Sequence, residues 1–153
     1  MKNTERRTRT VLVDTNILVS GLVFKKGNEH EILRLAEDKD IILVLPEFVL
    51  KEARTVLTHR FPGHGFLLDV FIRQARHAIV PMNQIEGEIP RHRGSVRDAK
   101  DIAVLAATIV AKPDLAVTGD KTLREDMKRS GELTNRTVVC SSSEFLKEIL
   151  KPS

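Results

Sequence analysis

Thr10-Val11-Leu12-Val13-Asp14 is the stretch on which the fold turns. Its apolar residues show no polar alternation, so it reads as a strand buried on both faces, as in parallel sheets, and it stops at an acid. Working outward, residues 41–45 make a second such run, 78–81 a short third, 115–118 a fourth and 137–140 a last. Helical patterns separate them. Residues 16–24 suit a short helix, and Asn28 with Glu31 forms a capping-box pattern ahead of Ile32, Leu33, Leu35 and Ala36. Pro46 fits the first position of a helix whose Val49, Ala53, Val56 and Leu57 share one face. A further helical pattern covers residues 66–77. Residues 82–97 read as a polar loop with Pro90 and Gly94, and 98–111 as the clearest helix. Ser141 with Glu144 caps a terminal helix carrying Phe145, Ile149 and Leu150.

Strands alternating with helices predict an α/β fold, a central parallel sheet sandwiched by helices. With no repeat or linker, the 153 residues form one domain, with a core over about residues 11–150. Ligand sites in such sheets lie outside the carboxyl ends of the strands, where strand order reverses. Asp14 and Asp120 are expected at that edge.

A 41% hydrophobic and 30% charged composition is that of a globular chain, not a disordered one. No apolar stretch approaches the ~20 residues that cross a bilayer, and no signal peptide is visible, so a cytoplasmic protein with no membrane association is expected. The single Cys140 cannot form an internal disulfide, and the five histidines lack zinc-binding spacing. Solvent-facing or loop roles suit those histidines, and Cys140 suits a small buried hydrophobe. A net charge of +4 does not by itself establish nucleic-acid binding.

The acids invite two readings. Asp14 ends an apolar strand, where ionisation is costly without a nearby cation or donor, and it is equally well placed to cap the following helix. Asp120 has the same ambiguity. Glu52 borders the apolar stripe of its helix but also suits a solvated acid. Asp98 and Asp101 stand three residues apart in a first helical turn, where the macrodipole favours acids. Taken together, these carboxylates can converge on one rim, and such a group persists where a cation neutralises it. An oxygen-only donor set favours Mg²⁺ or Mn²⁺, the ions that activate water for phosphodiester hydrolysis.

Four motifs in order carry a family likeness. Val11-Leu12-Val13-Asp14-Thr15-Asn16, Glu52 within Phe48-Val49-Leu50-Lys51-Glu52-Ala53, Val96-Arg97-Asp98-Ala99-Lys100-Asp101 and Val117-Thr118-Gly119-Asp120 together resemble a PIN-domain ribonuclease, of the kind found as the VapC-like toxin of toxin-antitoxin pairs. The resemblance implies a catalytic, metal-binding set of Asp14, Glu52, Asp101 and Asp120. Asp98 is an additional or alternative ligand, and Asn16 and Thr118 are polar supports. It also implies an RNA substrate, a homodimer and an antitoxin partner. The helix bearing Glu52 opens with Leu45-Pro46-Glu47, without the small hydroxyl residue often found there in the family.

The loop Arg91-His92-Arg93-Gly94-Ser95-Val96-Arg97 runs straight into Asp98, which suggests Arg91, Arg93 and Arg97 as RNA-backbone contacts, although it also suits a solvated charged loop. Arg6, Arg7, Arg9, Lys25 and Lys26 are candidates to extend that basic surface. Two rival readings exist. A phosphatase using Asp14 as nucleophile would want an acid where Asn16 stands. A non-catalytic PIN-fold module that binds RNA or protein would have no electrostatic reason to retain repelling carboxylates.

Overall fold

The computed structural model describes residues 7–149; the expectations for Arg6 and Leu150 lie outside them. Five parallel strands form one sheet in the order β3-β2-β1-β4-β5, with β1 Arg9–Val13, β2 Ile41–Pro46, β3 His77–Val80, β4 Leu115–Val117 and β5 Val138–Cys140. Leu12 pairs in register with Val44 on one side and Ala116 on the other. The opening strand is therefore central, as its unbroken apolar sequence requires.

The two-residue period of the strands divides the core. Val11, Val13, Leu43, Leu45, Leu115, Val117 and Cys140 face one layer, built from α1 Thr15–Val23, α2 Asn28–Glu37, α3 Glu47–Arg60, α4 Phe66–Gln74 and α8 Ser142–Ile149. Leu12, Val44, Ala116 and Val139 face the other, built from α5 Met82–Glu88, α6 Ile102–Ala111 and α7 Lys121–Lys128. This is the α/β sandwich expected. Cys140 is buried, and burial pushes its thiol up to about 11.

Gly21 allows α1 and α2 to touch. A Cβ there would stand 2.7 Å from the Leu33 side chain and 2.8 Å from the Glu29 carbonyl oxygen, closer than atoms pack. At the far end of α6, Lys112 takes a left-handed conformation at φ 51° and Pro113 follows, which stops the helix.

Several local expectations are corrected. Residues 82–97 are not all loop: α5 and a 3-10 turn, Ile89–His92, occupy the first part, with the Met82 amide donating to Glu47. The long helix expected over 98–111 is a 3-10 turn, Ala99–Asp101, leading into α6. Asn28 is the first residue of α2 and caps nothing; Gly27 precedes it without a side-chain bond. Pro46 ends β2 and stands just before α3 instead of inside it. The box at Ser141 does form, with the Ser141 amide donating to Glu144 and the Glu144 amide donating to Ser141 Oγ.

Candidate active site

Strand order reverses between β1 and β4, and each of these strands is followed at once by a polar residue, Asp14 after Val13 and Thr118 after Val117. Beyond β1, Asp14 Oδ1 accepts the amide of Ile17 at 3.0 Å and caps α1. Its Oδ2 accepts the hydroxyl of Thr118, from the end of β4. Thr118 is buried, and its hydroxyl oxygen also accepts the Asp120 amide at 3.2 Å. Asp120 in turn caps α7 through the Leu123 amide at 3.0 Å. The cap and rim roles that sequence reading left as alternatives for Asp14 and Asp120 are therefore compatible: one oxygen binds the helix end while the rest of the carboxylate stands at the strand edge.

The third motif arrives from the side. Asp98 caps the 3-10 turn through the Lys100 amide at 3.0 Å, and Asp101 is the last residue of that turn. Burial raises the Asp101 carboxyl above its ordinary range, and the charges of Asp120, Asp98, Asp14 and Asp126 raise it further. Asp14 is also raised, first by burial and then by Asp120, against the lowering effect of the Thr118 hydroxyl and the amides of Ile17 and Asn16. Asp14, Asp98, Asp101, Asp120 and Asp126 thus share one electrostatic neighbourhood. Glu52 reaches the same end of α1 from α3, accepting the Thr15 hydroxyl at 2.6 Å. Asn16 is exposed in the first turn of α1.

Among the described residues no three of these acids bring their oxygens within 4.8 Å of one another; the side chains that do so are Glu88, His92 and Glu132. The rim's donors are all oxygen, and burial together with neighbouring carboxylate charge raises the Asp14 and Asp101 carboxyls. That chemistry suits a hard divalent cation.

Two residues beyond the expected set shape the rim. Asp126, buried on α7, accepts the Arg97 amide at 2.9 Å and its Nε at 3.0 Å, and also pairs with Arg129. Arg97 reaches on to Glu125 at 3.0 Å and to the Thr122 carbonyl. Sequence offered Arg97 as an RNA contact, but its guanidinium is engaged in this clamp one residue before Asp98. Arg124 donates to the Thr118 carbonyl at 2.8 Å and steadies the end of β4. In sequence Asp126 and Arg124 look like ordinary solvated helix charges; Asp126 is revealed by a partner 29 residues away, and Arg124 by the turn that brings it back to Thr118. Arg91 and Arg93 are exposed on the segment leading to the rim.

The wider basic surface is not continuous with the rim. Arg7 pairs with Asp114 at 2.7 Å, and Arg9 opens β1, so both lie at the amino-terminal edge of the sheet, opposite Asp14. Lys25 and Lys26 follow the far end of α1, roughly 13 Å of helix away from it.

A parallel sheet with acids gathered where its strand order reverses defines a class of α/β domains with a polar site on one edge. A family model for the PIN domain matches residues 10–122, a span that includes every rim acid, and the chain belongs to that family. By structure the chain is similar to a chain of VapBC2 from Rickettsia felis bound to a DNA fragment from their promoter, with TM-score 0.60 and 15% identity over 86% of this chain and 98% of that one. No curated protein matches the chain by sequence.

Proposed function

We propose that the protein is a Mg²⁺- or Mn²⁺-dependent endoribonuclease, the toxin of a toxin-antitoxin pair. The observation that carries this reading is the placement of Asp14 and Asp120 at the strand-order reversal, linked through the Thr118 hydroxyl, with the charges of both falling on Asp101. Acids held in such a place destabilise the bare protein and gain from a divalent ion. Membership of the PIN family supports nuclease chemistry, and the fold likeness to a chain of VapBC2 supports an antitoxin as partner. A cytoplasmic location and a homodimer belong to the same reading. Among the described residues no helix is long and apolar enough to cross a membrane.

In this mechanism Asp14, Glu52, Asp101 and Asp120 would hold the cation, with Asp98 beside them as a further oxygen donor. The bound ion would lower the pKa of a water and offset charge on the phosphate oxygens. Thr118 orients Asp14 through its hydroxyl, Thr15 orients Glu52, and Asn16 offers an exposed amide at the same helix end. Arg91 and Arg93 hold the RNA backbone as it approaches, while Arg97 and Asp126 keep the segment carrying Asp98 and Asp101 in place. Water adds to phosphorus as the bond to the leaving oxygen breaks; the water gives up a proton and the leaving oxygen takes one.

Cleavage of single-stranded RNA with Mg²⁺ or Mn²⁺, repeated with EDTA and with Asp14→Asn, tests the proposal. Activity that needs the metal and disappears in the variant supports it. Cutting that persists in EDTA, or in the variant at full rate, rejects it. RNA binding without cutting in any metal would favour the non-catalytic module.

A further inference from the structure

The tightest group of potential metal ligands lies outside the acidic rim. Glu88 ends α5, His92 ends the 3-10 turn that follows, and Glu132 belongs to the turn after α7. His92 Nε2 stands 2.9 Å from Glu88 Oε1 and 3.2 Å from Glu132 Oε2. All three donor atoms lie within 4.8 Å of one another. The His92 side chain is 11% exposed and that of Glu88 18%, so two of the three donors are largely withdrawn from water.

One imidazole nitrogen faces two carboxylate oxygens here. A proton on Nε2 can point squarely at only one of them, whereas a metal ion set between the three satisfies both. Tetrahedral Zn²⁺, with bonds of about 2.0–2.1 Å, separates neighbouring ligand atoms by roughly 3.3 Å, close to both distances observed. An imidazole with two carboxylates suits Zn²⁺, while Mg²⁺ prefers oxygen alone in an octahedron and keeps its waters. Beside the group opens a cavity of about 590 Å³, lined in part by His92, Glu132, Ser95 and Arg129, which leaves the remaining coordination position to solvent. Arg91 Nη1 is 3.5 Å from the same Glu88 oxygen, a long contact from a side chain that is 67% exposed and free to turn outward.

We propose that Glu88, His92 and Glu132 form a Zn²⁺ site distinct from the rim acids. The bound ion joins the turn after α5 to the turn after α7, the two segments that flank the Arg97 and Asp126 clamp. It thereby fixes the approach to Asp98 and Asp101 without touching substrate. The proposal does not depend on the nuclease reading, because its readout is metal bound and not RNA cut.

The test is equilibrium dialysis of the chelator-treated full chain against ZnCl₂ with excess Mg²⁺ present, followed by metal analysis, and in parallel the visible absorption of bound Co²⁺. The wild-type chain is expected to hold one Zn²⁺, with tetrahedral Co²⁺ bands, and Asp14→Asn to do the same. His92→Gln and Glu132→Gln should each weaken Zn²⁺ binding at least about a hundred-fold, since loss of even an outer partner costs up to that much. Glu132 is exposed at the turn, so its variant should fold even if the His92 variant does not, as circular dichroism would show. No Zn²⁺ on the wild-type chain, undiminished binding in Glu132→Gln, or loss of binding in Asp14→Asn alone overturns the assignment.

Discussion

The Thr118 hydroxyl donates to Asp14 across the seam between β1 and β4, joining the two chain segments at which strand order reverses. Thr118→Val keeps the shape and removes the donor. We expect a loss of about 1–3 kcal/mol in denaturant melts, because the partly buried carboxylate oxygen is left unsatisfied. Since the hydroxyl holds the Asp14 carboxyl down, the variant should also shift the acid limb of the RNA-cleavage profile to higher pH. An unchanged acid limb would detach Thr118 from the chemistry.

The raised carboxyls of Asp14 and Asp101 make a prediction about pH. A carboxyl that is easier to protonate folded than unfolded leaves the native state with more bound protons. Its contribution to stability therefore declines as pH rises from the unfolded value of about 3.9 through the higher folded one. Asp101→Asn should be more stable than wild type at pH 7 in EDTA, with the advantage vanishing below about pH 4. Measuring both proteins removes the opposite contribution of Asp114, Glu125 and Asp126, which are lowered by their arginine partners. Added Mn²⁺ should narrow the gap from the wild-type side.

Asp126 holds Arg97 by backbone and side chain together. Asp126→Asn weakens that grip just before Asp98, and cleavage is expected to fall about 10–100-fold, as when an outer partner of a metal ligand is lost. If Asp126 serves only packing, thermal stability would drop with the rate per folded molecule unchanged.

Gly21 gives a prediction free of catalysis. Gly21→Ala drives a methyl group into Leu33 and the Glu29 carbonyl, and should destabilise by about 1–3 kcal/mol despite the better helix propensity of alanine. A neutral effect would mean that α2 shifts freely.

Arg93 is exposed and enters no ion pair among the described residues. Arg93→Gln, read by RNA binding across a salt series, should flatten the slope of log K against log salt by about 0.7, one phosphate contact to a single strand. Arg97→Gln should act instead through folding and the geometry of Asp98, since its guanidinium is already occupied.

The strands could be read directly from sequence because buried parallel strands leave continuous apolar runs, and Asp14, Asp98, Asp101 and Asp120 came with them as polar residues at strand ends or helix starts. What stayed hidden depends on partners far apart in the chain. Asp126 looks like any helix acid until Arg97 meets it, 29 residues away. Helix α5 was lost because Gly87 and Pro90 weaken its pattern, although Ile85 anchors it in the core. His92 lacked recognisable spacing because Glu132 reaches it from another turn.

The sequestered thiol of Cys140 has a practical use. With its pKa pushed up to about 11 and its sulfur inside the sheet, it should stay nearly silent toward maleimide reagents at neutral pH while the fold is intact. A cysteine introduced in place of Arg93 would then accept a fluorophore alone, giving a reporter beside the rim with no need to alter the native sulfur.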